Sequence, residues 1–345
     1  MNERVERIRA RLEEPLLVTA PANVRYLSGF VSSNAALLVE PERVRLFTDS
    51  RYVEGARAIE GVEVELMKRD LFANLANVLS GRVGFEASAV TYASWEMLSG
   101  GEAELVPRRG LVEELRALKD ESELRAVRAA AEITNGVYGR LAEEQFVGRT
   151  ERDLAWRIEQ LFHELGAEAL AFPTIVAAGE NGARPHTEPG AREIAPGQTV
   201  VVDAGCIVDG YCSDCTRTFA TGPLPERLAR AYEVCLAAQK EAVAAVRADE
   251  RGEDVDAIAR RRIDDEGFGD AFGHGLGHGV GLLVHEAPRL APESEYVLAA
   301  GNVVTVEPGI YLSGLGGIRI EDLVVVREGE PILLTSFPKE LVTVG

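Results

Sequence analysis

The chain has 345 residues, 46% of them apolar, and a formal net charge of −19. That length points to two domains, and the apolar fraction is enough for sizeable cores. The acidic balance argues against nucleic acid as a partner, because a field of this sign repels phosphate, and no apolar run reaches the roughly 18 residues that a membrane helix needs.

The opening segment, MNERVERIRARLEEP, is charged and reads as a short helix. It has no apolar centre of the kind a signal peptide carries, so a cytoplasmic location is expected. Strand-like apolar runs broken by Pro, Gly and Asn follow in LLVTAPANVRYLSGF, AALLVE and VRLFTDSRY, with another in RVGFEAS. Residues 111–144 turn helical. The charge-rich KDESE inside them reads as a hinge, dividing the chain into residues 1–118 and 119–345. Thr150 and Asp153 have capping-box spacing ahead of a helix with Leu154, Ile158, Leu161 and Leu165 on one face. His163, within it, reads as an ordinary surface histidine. Helices are expected at roughly 225–247 and 254–266. Strands return in VVTVEPGIYL, GGIRIEDLVVVREG and EPILLTS, so the fold class is α/β. Of the four cysteines, Cys212 and Cys215 form a CxxC. The second pair of a zinc ribbon is missing, so free thiols are expected, with a redox pair left open.

Three of the five histidines, His274, His278 and His285, fall in GHGLGHGVGLLVHEAPRL. Acidic residues elsewhere can meet them. In TVVVDAGCIVDGYCSDCTRTFAT, Asp209-Gly210 suits a tight hairpin turn. Asp203 and Asp214 then sit on opposite arms and on one face, where two bare carboxylates repel unless a cation lies between them. Taken alone they also read as exposed hairpin acids. Glu307 ends the apolar run VVTV, where an acid is costly unless it is paired or ligated. In GGIRIEDLVVV, Ile318 and Ile320 point to one side of a strand and Arg319 and Glu321 to the other. This is either a polar site or a surface ion pair. Four carboxylates and one imidazole suit Mn2+, Co2+, Fe2+ or Zn2+. Two such ions would neutralise the carboxylates and bring the pKa of a shared water toward about 7. The glycines of GHGLGHG lack the GK[ST] ending of a phosphate loop and read as letting the backbone approach the metal.

These segments, in this order and spacing, resemble the pita-bread-fold metallopeptidases that cleave bonds to proline, the Xaa-Pro aminopeptidases and Xaa-Pro dipeptidases (prolidases). PANVRYLSGF is similar to their N-terminal creatinase/prolidase-like domain. VVDAGCIVDGYCSDCTRTF, GHGLGHGVGLLVHEAPRL, TVEPGIYL and GGIRIEDLVVV are similar to their catalytic domain. The resemblance implies two divalent ions, Mn2+ first, with Asp203 chelating one, Asp214 and Glu321 bridging both, and His278 and Glu307 completing the second. It implies that a bridging hydroxide attacks the carbonyl before proline and that Glu307 passes the proton to the leaving nitrogen. His285 would hydrogen-bond the developing oxyanion. His274 would line the pocket, and FPTIVAAGENGARPH would place His186 over the substrate. Arg319 would orient carboxylates such as Asp203. Arg289 matches the arginine with which prolidases grip the carboxylate of a C-terminal proline.

The expected activity is therefore an Xaa-Pro dipeptidase acting on proline-containing peptides, as a homodimer. If the amino side is open, release of C-terminal proline from longer peptides follows. If Arg289 faces solvent or an internal acid, an Xaa-Pro-Zaa aminopeptidase follows. A small-molecule amide hydrolase on the same scaffold is the alternative from another class. Relatives that act as amidinohydrolases or non-catalytic binding modules have lost their metals, whereas all five ligands stand at motif positions here. The large N-terminal domain and the histidine set disfavour a methionine aminopeptidase.

Overall fold

The computed structural model describes residues 3–345; Met1 and Asn2, part of the expected N-terminal helix, lie outside them. Contacts divide the chain into two compact units, one ending at Arg116 and the other beginning at Ala117.

In the first unit the strand expected through LLVTAPANVRYLSGF is short. Only β1, Leu16–Val18, is extended, and Pro21–Ser28 is a helix. Pro21 starts that helix, where its missing N–H removes no bond, and Gly29 ends it at φ 74°. The helices are α1 (Glu3–Arg9), α2 (Pro21–Ser28), α3 (Val53–Ala56), α4 (Leu71–Leu75), α5 (Tyr92–Ser99) and α6 (Leu111–Ala117). The strands after β1 are β2 (Ala35–Val39), β3 (Val44–Thr48), β4 (Glu63–Leu66), β5 (Arg82–Glu86) and β6 (Glu104–Arg108). They form one mixed sheet in the order β4-β3-β2-β1-β5-β6.

The second unit opens with α7 (Glu121–Leu141) and α8 (Glu151–Glu164). The helical stretch at 111–144 is thus interrupted, because Asp120 caps α7 and makes a capping box with Glu123. Thr150 and Asp153 form the second capping box, and Leu154, Ile158 and Leu161 are buried beneath α8 while Leu165 is half-buried. The strands β7 (Ala169–Leu170), β8 (Ile175–Ala178), β9 (Thr199–Asp203), β10 (Cys206–Val208), β11 (Tyr211–Cys212) and β12 (Thr216–Ala220) follow. Then come α9 (Glu226–Ala245), α10 (Gly252–Asp265) and seven strands. These are β13 (Gly277–Gly279), β14 (Glu286–Leu290), β15 (Val303–Val306), β16 (Gly309–Leu312), β17 (Gly316–Arg319), β18 (Asp322–Val325) and β19 (Ile332–Leu333).

Each helix pair covers its own core. Leu154, Ile158 and Leu161 pack with Val200, Val202 and Phe219 on the α7–α8 side. Val255, Ala259 and Ile263 pack with Val304, Val306, Ile318 and Ile320 on the α9–α10 side. Successive strand residues face opposite ways. The residues that alternate with these, among them Asp203, Thr305, Glu307, Arg319 and Glu321, are therefore turned away from both cores. No helix among the described residues is long and apolar enough to cross a membrane.

Two glycines of GHGLGHG, Gly277 and Gly279, are required by the packing of the sheet. A Cβ on Gly277 would collide with the carbonyl oxygen of Thr305, and one on Gly279 with that of Ala287. They let β13 lie tightly between β14 and β15. Gly277→Ala should lower stability by about 1–3 kcal/mol, the usual effect of overpacking, read as a fall in Tm; an unchanged Tm would show that β13 has room to shift.

Candidate metal centre

The centre begins with a two-residue turn. Asp209 and Gly210 have φ of 48° and 78°, and Val208↔Tyr211 and Ile207↔Cys212 close the hairpin above them. The same register continues to Asp203↔Thr216. The residue directly opposite Asp203 is therefore Thr216, and Asp214 sits on the diagonal, still on the same face. The strand read through GGIRIEDLVVV also differs from expectation. It is two strands, β17 paired with β16 and β18 paired with β15, with Glu321 at the passage between sheets.

Asp203, Asp214 and Glu321 come together, each able to offer an oxygen within 4.8 Å of the others. They are 9%, 5% and 1% exposed. Arg319 Nη2 donates to Asp203 Oδ2 at 2.6 Å, and Thr216 Oγ1 donates to Glu321 Oε2 at 2.8 Å. Arg319 Nε donates in turn to Thr216 Oγ1 at 3.0 Å. Arg319 and Glu321 are thus buried parts of the cluster, not a surface pair. Asp203 Oδ1 and Glu321 Oε1 are buried without a hydrogen-bond partner among the described residues. A buried, unpaired carboxylate oxygen is unfavourable, so the donor set fits a hard divalent cation.

His278, on β13, completes one side. Its Nε2 lies 3.2 Å from Glu307 Oε1 and 3.7 Å from Asp214 Oδ2. Thr305 Oγ1 accepts the His278 N–H at 3.0 Å and donates to Glu307 Oε1 at 3.2 Å, fixing both to β15. The titration behaviour follows. Burial, then the charges of Glu321 and Asp203, push the Asp214 carboxyl well above its ordinary value. Burial, then Glu307 and Asp203, do the same to Glu321. Asp203 is also raised by burial, with the Arg319 charge opposing. Glu307 goes the other way: burial would raise it, but the hydrogen bond and charge of His278 bring it to about 2. Burial works against the His278 imidazolium, yet its bond to Glu307 leaves its pKa raised.

Of the remaining sequence-derived residues, His274 and His285 stand beside this cluster. His274 is held by Gly275 O at 2.8 Å and Tyr311 Oη at 2.9 Å. Arg319 Nη1 donates to Tyr311 Oη at 3.0 Å, so the tyrosine proton goes to His274 Nε2 and Nδ1–H goes to Gly275. Both His274 nitrogens are therefore engaged within the protein, and burial lowers its pKa. His285 is exposed, its ring centroid 4.3 Å from that of His278. Burial and the neighbouring His278 charge lower its pKa. His186 is exposed in the loop after Gly179–Ala183, beside Pro185, whose carbonyl accepts from Arg319 Nη1 at 3.3 Å. Arg289 is exposed on β14, directly across from His278 and so on the same face. Its carbonyl accepts from Ser294 Oγ at 2.6 Å, and its guanidinium has no hydrogen-bond or ion-pair partner among the described residues. His163 is exposed on α8, away from these groups. All four cysteines are buried and none forms a disulfide.

Sequence reading missed Thr216, Thr305 and Tyr311. The hairpin turn carried the signal for Thr216, since it fixes the residue opposite Asp203. Thr305 could have been read two residues before Glu307 on the same strand face. Tyr311 had no such signal, because it reaches Arg319 only through the fold-back of β16 on β17.

Comparison with known proteins places this site in context. The chain is 34% identical to the Xaa-Pro dipeptidase of Pyrococcus furiosus, over 99% of this chain and all of that one. It is similar to the structure of an Xaa-Pro dipeptidase from Bacillus anthracis, with a TM-score of 0.94, 34% identity and 99% of both chains covered. An X-Pro aminopeptidase from Thermotoga maritima superposes with a TM-score of 0.89 at 32% identity, over 99% of this chain and 100% of that one. The creatinase/prolidase N-terminal domain family matches residues 4–118, and metallopeptidase family M24 matches residues 125–328. That second stretch supplies all four carboxylates and His278, and the chain belongs to metallopeptidase family M24.

Proposed function

We propose that this metallopeptidase hydrolyses the bond before proline and that its substrate is the Xaa-Pro dipeptide. The observation that carries the reading is the buried cluster of Asp203, Asp214 and Glu321, with two carboxylate oxygens left unpaired. In this reading Asp203, Asp214, His278, Glu307 and Glu321 hold two divalent ions, Mn2+ being the first to supply. Ions held there polarise a carbonyl and acidify a water.

The side chains do the rest. Arg319 occupies Asp203 Oδ2 and leaves Oδ1 for coordination. His285, its pKa lowered, is neutral and can donate a ring N–H to the scissile carbonyl oxygen as that atom gains charge. Glu307, ionised beside His278, can accept the proton that the attacking water gives up and deliver it to the proline nitrogen as the C–N bond breaks. His274, fixed by Tyr311 and Gly275, keeps the wall rigid, and His186 faces the substrate from its loop. A bond to proline lacks the amide N–H, so a site that works through the carbonyl suits it. The unpaired Arg289 guanidinium, on the face of His278, supports capture of the free carboxylate of a C-terminal proline. The names of the dipeptidase relatives point the same way.

The test is a product assay on Mn2+-loaded protein with Xaa-Pro, Xaa-Pro-Zaa and an N-blocked peptide ending in proline. Cleavage of Xaa-Pro alone is expected. Arg289→Leu should then raise KM about tenfold or more, since hydrogen bonds to charged groups contribute about 1.5–3 kcal/mol. Cleavage of the tripeptide would replace the dipeptidase by an aminopeptidase. Proline released from the blocked peptide would mean an open amino side. No turnover of any of them with ions bound would direct the search to small amides.

A further inference from the structure

The hairpin that carries Asp203 and Asp214 keeps one register, yet its strands are interrupted at 204–205 on one arm and 213–215 on the other. The register does not slip there. Ala204 N donates to Cys215 O at 3.1 Å and Ser213 N to Cys206 O at 2.8 Å, in line with Asp203↔Thr216 above and Ile207↔Cys212 below. With no extra residue on either arm, the interruption is a pinch rather than a bulge. Gly205, opposite Asp214, marks how tight it is. A Cβ there would collide with the carbonyl oxygen of Ser213 and sit 3.1 Å from the Phe172 ring. Asp203 and Asp214 lie on the diagonal across this close approach, a spacing side chains can span, and they offer oxygens within 4.8 Å of each other. Pinching the arms together helps bring diagonal residues into reach of a shared ligand.

Helix α7 holds the pinch from the core side. Thr134 and Tyr138 are four residues apart and share one face, and both are fully buried. Tyr138 Oη lies 2.6 Å from Cys215 O and 3.0 Å from Val202 O. The single hydroxyl proton is thus shared between the carbonyl just after Asp214, which is the nearer acceptor, and the carbonyl just before Asp203. Thr134 donates its own proton to Ala130 O at 3.0 Å, so the Ser213 hydroxyl, 2.7 Å away, donates to Thr134. Ser213 Oγ in turn accepts the N–H of Cys206 at 3.0 Å, across the hairpin.

We infer that Tyr138 and Thr134 are positioning residues for the metal centre, setting the separation of Asp203 and Asp214 by clamping the two arms of the hairpin from behind. The inference rests on reading those carboxylates as metal ligands. The test is a Co2+ titration of the chelator-stripped full chain, followed by visible absorption and by calorimetry. Tyr138→Phe should weaken Co2+ binding by about 10–100-fold, the range for residues behind a ligand shell, and change the absorption bands. Thr134→Val should shift both in the same direction, and Thr134→Ser should restore them. Val137→Ala, buried on the same helix but touching neither arm through a hydrogen bond, should lose stability while keeping wild-type affinity and spectrum. Wild-type affinity and bands in Tyr138→Phe, or an equal loss in Val137→Ala, would overturn the inference and leave the metal reading standing. If Tyr138→Phe does not fold, Thr134→Val decides on the same two readouts. Wild-type protein that takes up no Co2+ would overturn the metal reading itself, and the inference with it.

Discussion

Glu307→Gln is expected to lower kcat on Xaa-Pro by about 10²–10⁴-fold, the usual contribution of a positioned general acid or base, with little change in KM. The geometry gives the reason. Glu307 follows the last residue of β15, and its Oε1 faces His278 Nε2 at 3.2 Å and accepts from Thr305. Glutamine keeps the shape and can keep the carbonyl side of these bonds. It cannot carry a proton, and it removes the charge that raises the His278 pKa. Ion content per chain must be measured beside the rate. A variant with two ions bound and the wild-type rate would remove Glu307 from the chemistry. A variant short of one ion and short of activity would make Glu307 a metal holder first.

The sequence disclosed this centre unevenly, and local patterning explains why. Asp209-Gly210 fixes a turn type, so the hairpin was readable and the shared face of Asp203 and Asp214 with it. The diagonal offset was readable too, by counting from the turn to Thr216. Alternation in GGIRIED put Arg319 and Glu321 opposite Ile318 and Ile320, and the two isoleucines are buried in the α9–α10 core. Alternation says nothing about which strand pairs with which. The switch of partner at Glu321, from the β16 hairpin to β15, therefore went unseen, and so did the reach of Tyr311 to Arg319. The helix α2 was misjudged for a related reason. Val24, Tyr26 and Leu27 read as a strand in a short window, while Pro21 and Gly29 set helix ends that only the full segment shows. In GHGLGHG the sequence could not show that Gly277 and Gly279 also answer to the carbonyls of Thr305 and Ala287, which are distant in sequence or beyond a loop.

The second large effect concerns stability rather than rate. Stripped of metal with a chelator, the wild-type protein should be less stable than Asp214→Asn at pH 7.5, and added Mn2+ should reverse the order. Asp214 and Glu321 have folded pKa values well above the ordinary 3.8 and 4.5, through burial first and neighbouring carboxylates second. A group raised on folding contributes stability below its unfolded pKa and loses that contribution as pH rises through its folded value. The stripped protein should therefore lose stability as pH climbs from about 4, and Asn at 214 should blunt the loss by removing one of the acids whose ionisation burial and neighbouring carboxylates oppose. Glu307 does not cancel this trend. It is depressed to about 2, so its contribution is lost only as pH falls below its ordinary 4.5. Metal inverts the balance because ions bind the deprotonated ligands and release protons. At a free concentration one hundred times Kd, one such site adds about 2.7 kcal/mol. Thermal unfolding at pH 5 and pH 7.5, with chelator or with Mn2+, checks each step. If stripped Asp214→Asn proves no more stable than wild type at pH 7.5, mutual repulsion does not govern the centre. If Mn2+ stabilises that variant as much as the wild type, Asp214 is not one of the groups that hold the ions.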